Sequence, residues 1–414
     1  MKYLILLLLP FLSLNVSGKS QQTLSPATYE SLNEIQELVQ QENWPEAEEN
    51  LESLSKKLRP GFGLALTYQL HGQLHLAKEE NKQALKKFEQ ALELNALAPA
   101  QESALSTNVA QLYLADGKTR QSINTLTPRL NNLLSKEKDA SKGKSDKPKR
   151  YVQPMAMVTL ATAYQLQKDF SQSILWLERA IQRDDNPREN WLQMLMSAYY
   201  QTKDYNNAIK ILSRLQAINP AKEDYWLQQA SLYQLNEQSG QALIVMETAY
   251  AGGYLSKENS LLLLVQLLIN HGIPERGARI LQQQIKAGVI EIDEQDWRLL
   301  ASAWQQGRER SRAAAALRKA AEDMEGGSLL YRAAQLNIQD NNYREALTDL
   351  EAALDKGLSD KRKGTALILA GNSAFELKDL ATAKRYFHMA LNEPGSASSA
   401  RVWLDYISSI EEYL

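Results

Sequence analysis

The feature that most constrains this chain is a pattern of small and aromatic residues that recurs along nearly its whole length. Ten copies begin near residues 28, 65, 103, 154, 189, 223, 259, 294, 327 and 364. Successive starts lie 33 to 38 residues apart, except for one interval of 51. A unit of this size cannot bury its own apolar surface, so stacked copies have to share one continuous core.

The copy that begins at Ala65 shows the pattern in full. Its marked residues are Tyr68, His71, Gly72, His75, Ala84, Phe88 and Ala91. Small residues at its eighth and twentieth positions let two helices cross closely, while the larger side chains fill the space beside the crossing. This order and spacing resemble the tetratricopeptide repeat. We therefore predict an all-α fold: a right-handed superhelical solenoid of about ten tetratricopeptide-type helical hairpins with a C-terminal capping helix.

Composition supports helices and excludes several classes of function. The chain has only 19 Gly and 12 Pro in 414 residues, too few for an all-β fold rich in turns. Its formal net charge of −2 gives no field that would recruit nucleic acid or anionic lipid. With no cysteine, disulfides and thiolate metal sites cannot form.

The N-terminal segment predicts export. Met1–Lys2 supplies a positive charge, Tyr3 to Val16 is a leucine-rich stretch of 14 residues, and Val16-Ser17-Gly18 offers a cleavage site. Fourteen apolar residues are fewer than the ~20 that span a bilayer as a helix. We predict a signal peptide at 1–18, a periplasmic location and no stable membrane insertion after cleavage; an uncleaved anchor is the alternative.

The long interval between the third and fourth copies predicts a break in the array. Residues 135–150 contain seven basic and three acidic residues and no apolar side chain larger than Ala. Such a segment buries too little surface to order itself. We predict an N-terminal repeat block at 19–134, a basic flexible linker at 135–153, a main repeat block at 154–396 and the capping helix at 397–414. The linker is either a solvated insertion or a basic tether for an anionic partner.

The sequence predicts no enzyme, no cofactor and no metal site. Motifs for dinucleotides, P-loops, nucleophilic serines and calcium loops are missing, and Ser53-Leu54-Ser55-Lys56 matches SxxK only on a polar helix flank. His71 and His75 have the four-residue spacing of a metal pair. They also occupy core positions that hold Leu and Tyr in other copies, and no third ligand is apparent nearby in the sequence. We therefore expect them to be packing residues.

The predicted binding surface is the concave face of the array. Positions 2, 5, 9 and 12 of each first helix line that face, and among these forty residues only Asp224 and Arg298 are charged. Amides can satisfy the backbone of a peptide because they both donate and accept hydrogen bonds. We predict that a neutral peptide binds there; a groove filled by the protein's own termini, or one that merely packs, is the alternative. The candidate residues are Gln69, Gln73, Gln111, Thr162, Gln165, Asn190, Gln193, Ser197, Tyr200, Leu227, Ser231, Gln234 and Asn270.

A more specific resemblance covers the middle third of the chain, from Arg150 to about Ile290. The stretches YVQPMAMVTLATAY, ENWLQMLMSAYYQTKDY, EDYWLQQASLYQ and ETAYAGGYLSKENSLLLLVQLLINHGIPERGARIL resemble a family of Gram-negative periplasmic tetratricopeptide proteins assigned to the TonB system. The resemblance implies a non-catalytic accessory of TonB–ExbB–ExbD, which energises nutrient uptake of the iron or haem type through outer-membrane receptors. It carries no catalytic or binding residues to this chain. The sequence makes no prediction about the oligomeric state of the chain.

A second function remains beside this one. A repeat scaffold of a cell-envelope or exopolysaccharide assembly and export complex would need the same kind of groove. The sequence does not separate the two.

Overall fold

A computed structural model describes residues 23–140, 150–291, 293–322 and 325–412. The predicted signal peptide at 1–18 lies outside these residues. The described part of the chain contains 21 helices and no strand. In the same residues, no helix is both long and apolar enough to cross a membrane.

The helices follow one another with short connections. Their bounds are α1 Pro26–Gln40, α2 Trp44–Lys57, α3 Phe62–Ala77, α4 Asn81–Glu93, α5 Pro99–Ala115, α6 Thr119–Ala140, α7 Pro154–Leu166, α8 Phe170–Arg183, α9 Glu189–Gln201, α10 Tyr205–Ile218, α11 Glu223–Leu235, α12 Ser239–Ala251, α13 Glu258–Asn270, α14 Pro274–Lys286, α15 Glu294–Gln306, α16 Arg310–Ala320, α17 Ser328–Gln339, α18 Tyr343–Asp355, α19 Asp360–Glu376, α20 Leu380–Ala390 and α21 Ala397–Glu412.

These helices form the predicted fold. Each odd-numbered helix from α1 to α19 pairs with the next one, which gives ten hairpins, and α21 follows the tenth. Four first helices, α7, α9, α11 and α15, begin at the predicted residue, and the others begin within five residues of it. The prediction of ten tetratricopeptide-type hairpins and a final helix is confirmed.

Each hairpin turns on one residue in the left-handed region of φ. Eight are not glycine: Glu42, Glu79, Lys168, Lys203, Glu237, Arg308, Asn341 and Lys378; the other two are Gly117 and Gly272. At the fourth turn, for example, Lys168 N–H donates to the Gln165 carbonyl and Asp169 N–H to the Tyr164 carbonyl. These two bonds close the last turn of the first helix and satisfy carbonyls that would otherwise be unpaired.

Two hairpins show the close crossing that the small residues allow. A Cβ placed on Gly72 would lie 2.4 Å from the ring of Phe88, and one on Gly371 would lie 2.5 Å from the ring of Phe387. Both rings are fully buried. Only glycine therefore fits at the eighth position where phenylalanine occupies the twenty-fourth.

The chain divides into two compact units, Met1–Ile211 and Leu212–Leu414, with the division inside α10. Unit 1 has a core around Leu51, Leu74 and Phe88. Unit 2 has a core around Leu264 and Trp304 and a second one near its C-terminus.

The segment predicted as a linker is partly helical. Helix α6 continues to Ala140, because Glu137 in its last turns is held by the chain that follows. The Glu137 carboxylate accepts hydrogen bonds from Tyr151 N–H at 2.5 Å and Val152 N–H at 2.8 Å, and from Arg183 Nη2 at 2.6 Å. Burial raises the pKa of Glu137, but these bonds outweigh it and lower the pKa. Residues 141–149 lie outside the described residues, so the flexible linker stays a prediction.

Candidate partner-binding face and a buried histidine pair

The predicted binding residues all lie on first helices and all reach solvent. In unit 1 they are Gln69 and Gln73 on α3, Gln111 on α5, Thr162 and Gln165 on α7, and Asn190, Gln193, Ser197 and Tyr200 on α9; each is half-buried or exposed. We call these nine side chains the first-helix face of unit 1. In unit 2, Leu227, Ser231 and Gln234 on α11 and Asn270 on α13 are accessible in the same way.

Two of the glutamines link consecutive first helices. Gln111 Nε2 on α5 donates to Thr159 Oγ1 on α7 at 3.3 Å. Gln165 Nε2 on α7 donates to the Met194 carbonyl on α9 at 2.9 Å. These bonds connect α5 to α7 and α7 to α9 through residues of the predicted binding surface. Part of the amide enrichment therefore serves the array itself, which the sequence did not reveal.

Other polar groups of the predicted site are satisfied within their own helices. The hydroxyls of Thr162 and Ser231 donate to carbonyls four residues earlier, each at 2.9 Å. Asn270 Oδ1 accepts from Gln266 Nε2 at 2.9 Å. By contrast, the buried Oε1 of Gln69 has no hydrogen-bond partner among the described residues. A buried acceptor without a donor is costly, so Gln69 is a point where a bound donor would be favoured.

Large apolar side chains at the ends of first helices extend the candidate surfaces. Leu166 at the end of α7 is 62% exposed, and Tyr200 near the end of α9 is 46% exposed. In unit 2, Leu235 at the end of α11 is 53% exposed. Leu166 and Leu235 both occupy the thirteenth position of their repeats, which the sequence reasoning had not counted as part of the groove. Most of the other repeats carry Gln, His or Glu at this position, so the sequence pattern did not mark it.

Charge is absent from the predicted groove positions of unit 1. None of the twenty residues at positions 2, 5, 9 and 12 of its five hairpins is charged. In unit 2 the corresponding positions include Asp224 and Arg298, and Asp224 forms an ion pair with Lys257 at 2.5 Å. The accessible side chains at these positions of unit 1 are therefore suited to an uncharged ligand, because none of them would pair with a ligand charge.

Buried carboxylates in unit 2 tie hairpins together. Glu223 accepts hydrogen bonds from Ser256 Oγ at 2.8 Å and from Lys257 N–H at 3.1 Å, 33 and 34 residues along the chain. Asp349 accepts from Asn337 Nδ2 at 2.8 Å and from Arg318 Nη1 at 3.4 Å. Burial raises the pKa of Asp349 despite these partners. Glu223 thus joins α11 to the segment before α13, and Asp349 joins α18 to α16 and α17.

A separate polar cluster lies in the core of the second hairpin. His71 is 1% exposed and His75 is 5% exposed, and their rings stack with centroids 4.8 Å apart. His75 Nδ1 lies 2.7 Å from Glu80 Oε2, whereas neither ring nitrogen of His71 has a hydrogen-bond partner among the described residues. Burial, together with the positive charge of Lys87 and the neighbouring His75, lowers the pKa of His71 to about 4. His71 is therefore neutral at physiological pH.

A third donor stands beside the two histidines. Glu48 on α2 places a carboxylate oxygen so that it and one nitrogen of each imidazole all lie within 4.8 Å of one another. Glu48 Oε2 also accepts from Lys78 Nζ at 2.7 Å. This hydrogen bond lowers the pKa of Glu48. Glu48 belongs to the preceding hairpin, so its linear spacing to the histidines gave no sign of this contact.

Comparison with known proteins gives structural likenesses only. No known family model and no curated protein matches the chain. Among solved structures, it is similar to Naa15/Naa10 bound to HypK-THB, with 13% identity and a TM-score of 0.46 over 93% of this chain and 64% of that chain. It is also similar to the C-terminal part of a TPR repeat-containing protein from Cytophaga hutchinsonii, with 14% identity and a TM-score of 0.36 over 70% of this chain and 94% of that one. YrrB, described as a TPR protein with an unusual peptide-binding site, matches with 15% identity and a TM-score of 0.33 over 44% of this chain and 91% of that one.

This chain thus spans less than two thirds of the first of these structures. The fold assignment itself follows from the ten hairpins and their turns described above.

Proposed function

We propose that this chain is a non-catalytic scaffold that binds a protein partner through the first-helix face of unit 1. The observation that carries the proposal is the hydrogen bonding from α5 to α7 and from α7 to α9 through predicted face residues. These bonds join neighbouring hairpins through their predicted binding positions, which supports a shared surface. A surface of aligned amides with exposed Leu166 and Tyr200 offers both hydrogen bonds and apolar contacts.

The partner that fits this face is an uncharged peptide segment with apolar side chains. Remaining amide donors and acceptors on Gln69, Gln73 and Asn190 can pair with a peptide backbone. Leu166 and Tyr200 provide the apolar anchors that dominate binding energy at interfaces. The twenty groove positions of unit 1 hold no Lys or Arg, so a C-terminal carboxylate would find no cation there.

In the cell, we propose that the chain is a periplasmic accessory of the TonB–ExbB–ExbD system and that it assists nutrient uptake of the iron or haem type. The leucine-rich leader supports the location, and the resemblance of residues 150–290 supports the system. The formal net charge of −2 gives no reason to expect nucleic acid as a partner.

The experiment is crosslinking capture of the exported protein in whole cells, followed by identification of the bound proteins. We expect TonB, ExbB or ExbD among them, and poorer growth of a deletion strain when iron is chelated. Recovery of polysaccharide synthases without any of these three would replace the TonB assignment with the envelope-assembly function. It would leave the binding face itself intact.

A charge-insertion pair tests the face directly. The variant Asn190→Glu with Ser197→Glu places two carboxylates on exposed positions of α9. We expect it to lose the captured partner, because an unpaired carboxylate must be desolvated on binding. The matched control, Ser171→Glu with Gln182→Glu, alters two exposed positions of α8, a second helix, and should retain the partner. Equal capture by both variants would rule out this face.

A further inference from the structure

The buried histidine pair has the composition of a transition-metal site. Two imidazoles and one carboxylate, from Glu48, His71 and His75, present donor atoms that lie within 4.8 Å of one another. Donors bound to one zinc ion at ~2.0–2.1 Å lie about 3.4 Å apart in tetrahedral geometry. Rotation of the Glu48 carboxylate and a small adjustment of the rings would close this difference.

The second layer around the histidines favours metal binding. Glu80 Oε2 is 2.7 Å from His75 Nδ1, so the Glu80 carboxylate accepts the Nδ1–H of His75. A carboxylate bound to the far nitrogen is the usual support of a metal-ligating histidine, because it fixes the tautomer and the ring orientation. Glu80 thus holds the ring of His75 in place.

His71 is unsatisfied without a ligand. It is 1% exposed, and neither of its nitrogens has a hydrogen-bond partner among the described residues. Leaving a buried polar group unpaired is unfavourable, and a cation bound to one nitrogen would remove that penalty. The side chain of Glu48 is 32% exposed, which gives an ion a path from solvent to the buried nitrogens.

Packing alone does not call for these residues. The tenth hairpin, α19 with α20, has the same contact between Gly371 and Phe387 that Gly72 and Phe88 make in the second hairpin. In the tenth hairpin, Ala370 and Ala374 stand at the repeat positions of His71 and His75. In the ninth hairpin, Leu347 stands at the repeat position of Glu48. These three belong to, or pack against, an apolar core cluster. Glu48 on the first hairpin and His71 and His75 on the second therefore all differ from an apolar alternative that the same crossing accepts.

One cation competes for the site. Lys78 Nζ lies 2.7 Å from Glu48 Oε2 and 3.4 Å from Glu80 Oε1. The positive charge of Lys87 also opposes protonation of His71 and lowers its pKa. An incoming metal ion has to displace the Lys78 ammonium from Glu48. Lys78 is itself partly exposed and can turn towards solvent. Its removal should therefore strengthen metal binding, which a purely structural role of the cluster would not produce.

We propose that Glu48, His71 and His75 form a binding site for one divalent transition-metal ion of the zinc class, with solvent as the remaining ligand. Imidazole and carboxylate donors suit Zn²⁺ and Co²⁺, whereas two nitrogens exclude a calcium-type site. The inference stands apart from the proposed partner binding, since it concerns core positions of α2 and α3.

The test uses the full chain without a histidine tag, titrated with Zn²⁺ against a chromophoric chelator and with Co²⁺ by visible absorption. We expect one equivalent of each ion to bind and Co²⁺ to give the absorption bands of a four- or five-coordinate site. Glu48→Gln should weaken binding roughly tenfold or more, as loss of an anionic ligand would. Lys78→Met should strengthen it by roughly tenfold.

Two controls separate metal binding from folding. His271→Gln removes an exposed histidine from unit 2 and should leave affinity unchanged. His71→Leu should abolish binding while retaining the helical circular dichroism spectrum. Absence of stoichiometric binding by the natural chain overturns the proposal. So does unchanged affinity in Glu48→Gln, a substitution at a partly exposed site that does not depend on the fate of His71→Leu.

Discussion

The second and tenth hairpins share one packing device and differ in what surrounds it. In α3 with α4, Gly72 lies under the ring of Phe88, and in α19 with α20, Gly371 lies under Phe387. A Cβ on either glycine would approach the ring to within 2.4 or 2.5 Å. The crossing of the two helices is therefore set by the same pair of residue types at both places.

Beside this crossing, the two hairpins carry opposite chemistry. His71 and His75 are buried in the second hairpin where Ala370 and Ala374 are buried in the tenth. The repeat thus fixes the backbone through a few positions and leaves their neighbours free to carry polar groups. Variants of these residues separate the contribution of the Gly–Phe contact, common to both hairpins, from that of the buried histidines of the second.

The largest effect should be common to both hairpins. Phe88→Ala and Phe387→Ala should each destabilise their own hairpin by about 3–5 kcal/mol, because each ring is fully buried. Hydrogen exchange of peptides from the two hairpins measures this locally, as suits an array in which each repeat contacts its neighbours. Loss of stability in only one of the two variants would show that the two phenylalanine rings do not stabilise their hairpins alike.

The next effect should belong to the second hairpin alone. The pKa of His71 is lowered from 6.5 to about 4, so the unfolded chain takes up the proton first as the pH falls. The stabilisation that neutral His71 contributes to the folded state is then fully present above pH 6.5 and is lost progressively down to pH 4. We expect urea denaturation to show about 2 kcal/mol less stability at pH 5 than at pH 7.5 from this residue.

The variant His71→Leu isolates that term. Leucine occupies the same repeat position at Leu160 and Leu195, so the replacement suits the fold. We expect the difference in the free energy of unfolding between pH 7.5 and pH 5 to shrink by about the same 2 kcal/mol in this variant. An unchanged pH dependence would show that His71 is not the acid-sensitive group.

Adding one methyl group at the crossing should again affect both hairpins alike. Gly72→Ala and Gly371→Ala force a Cβ into the facing phenylalanine ring, and overpacking of this kind costs about 1–3 kcal/mol. Thermal denaturation compared with the natural chain gives the magnitude. A tolerated alanine at either position would show that the helices can separate there without loss.

The smallest effect should stabilise both hairpins. Glu79 and Lys378 form the two turns with φ of 61° and 63°, a region that favours glycine. Glu79→Gly and Lys378→Gly should therefore each stabilise the chain by up to about 1 kcal/mol, since relief of strain exceeds the added freedom of the unfolded chain. A loss of stability in both would mean that their side chains contribute more than the strain costs.

The sequence predicted the parts of this fold that depend on local pattern. Repeat spacing located all ten hairpins, and the capping helix predicted at 397–414 matches α21. The length of α6 escaped prediction, because it depends on Glu137 meeting Arg183, 46 residues away. Glu48 escaped as a third donor for the same reason: a contact between hairpins leaves no trace in linear spacing.

The candidate binding face stays a prediction, and the structure shows where its residues lie. All thirteen predicted residues reach solvent, although other residues at the same repeat positions, such as Val158 and Leu267, are buried. That Gln111 and Gln165 also bond to neighbouring helices could not be seen, since amide side chains satisfy either a ligand or the protein.

Partner binding by the first-helix face of unit 1 is tested most directly by photo-crosslinking in cells. A photoreactive side chain at Ser197 on α9 samples the face, and one at Gln182 on α8 samples a second helix of the same unit. We predict a crosslinked protein partner from position 197 and none from position 182. Adducts from position 182 alone, or equal adducts from both, would contradict the proposal that this face binds the partner.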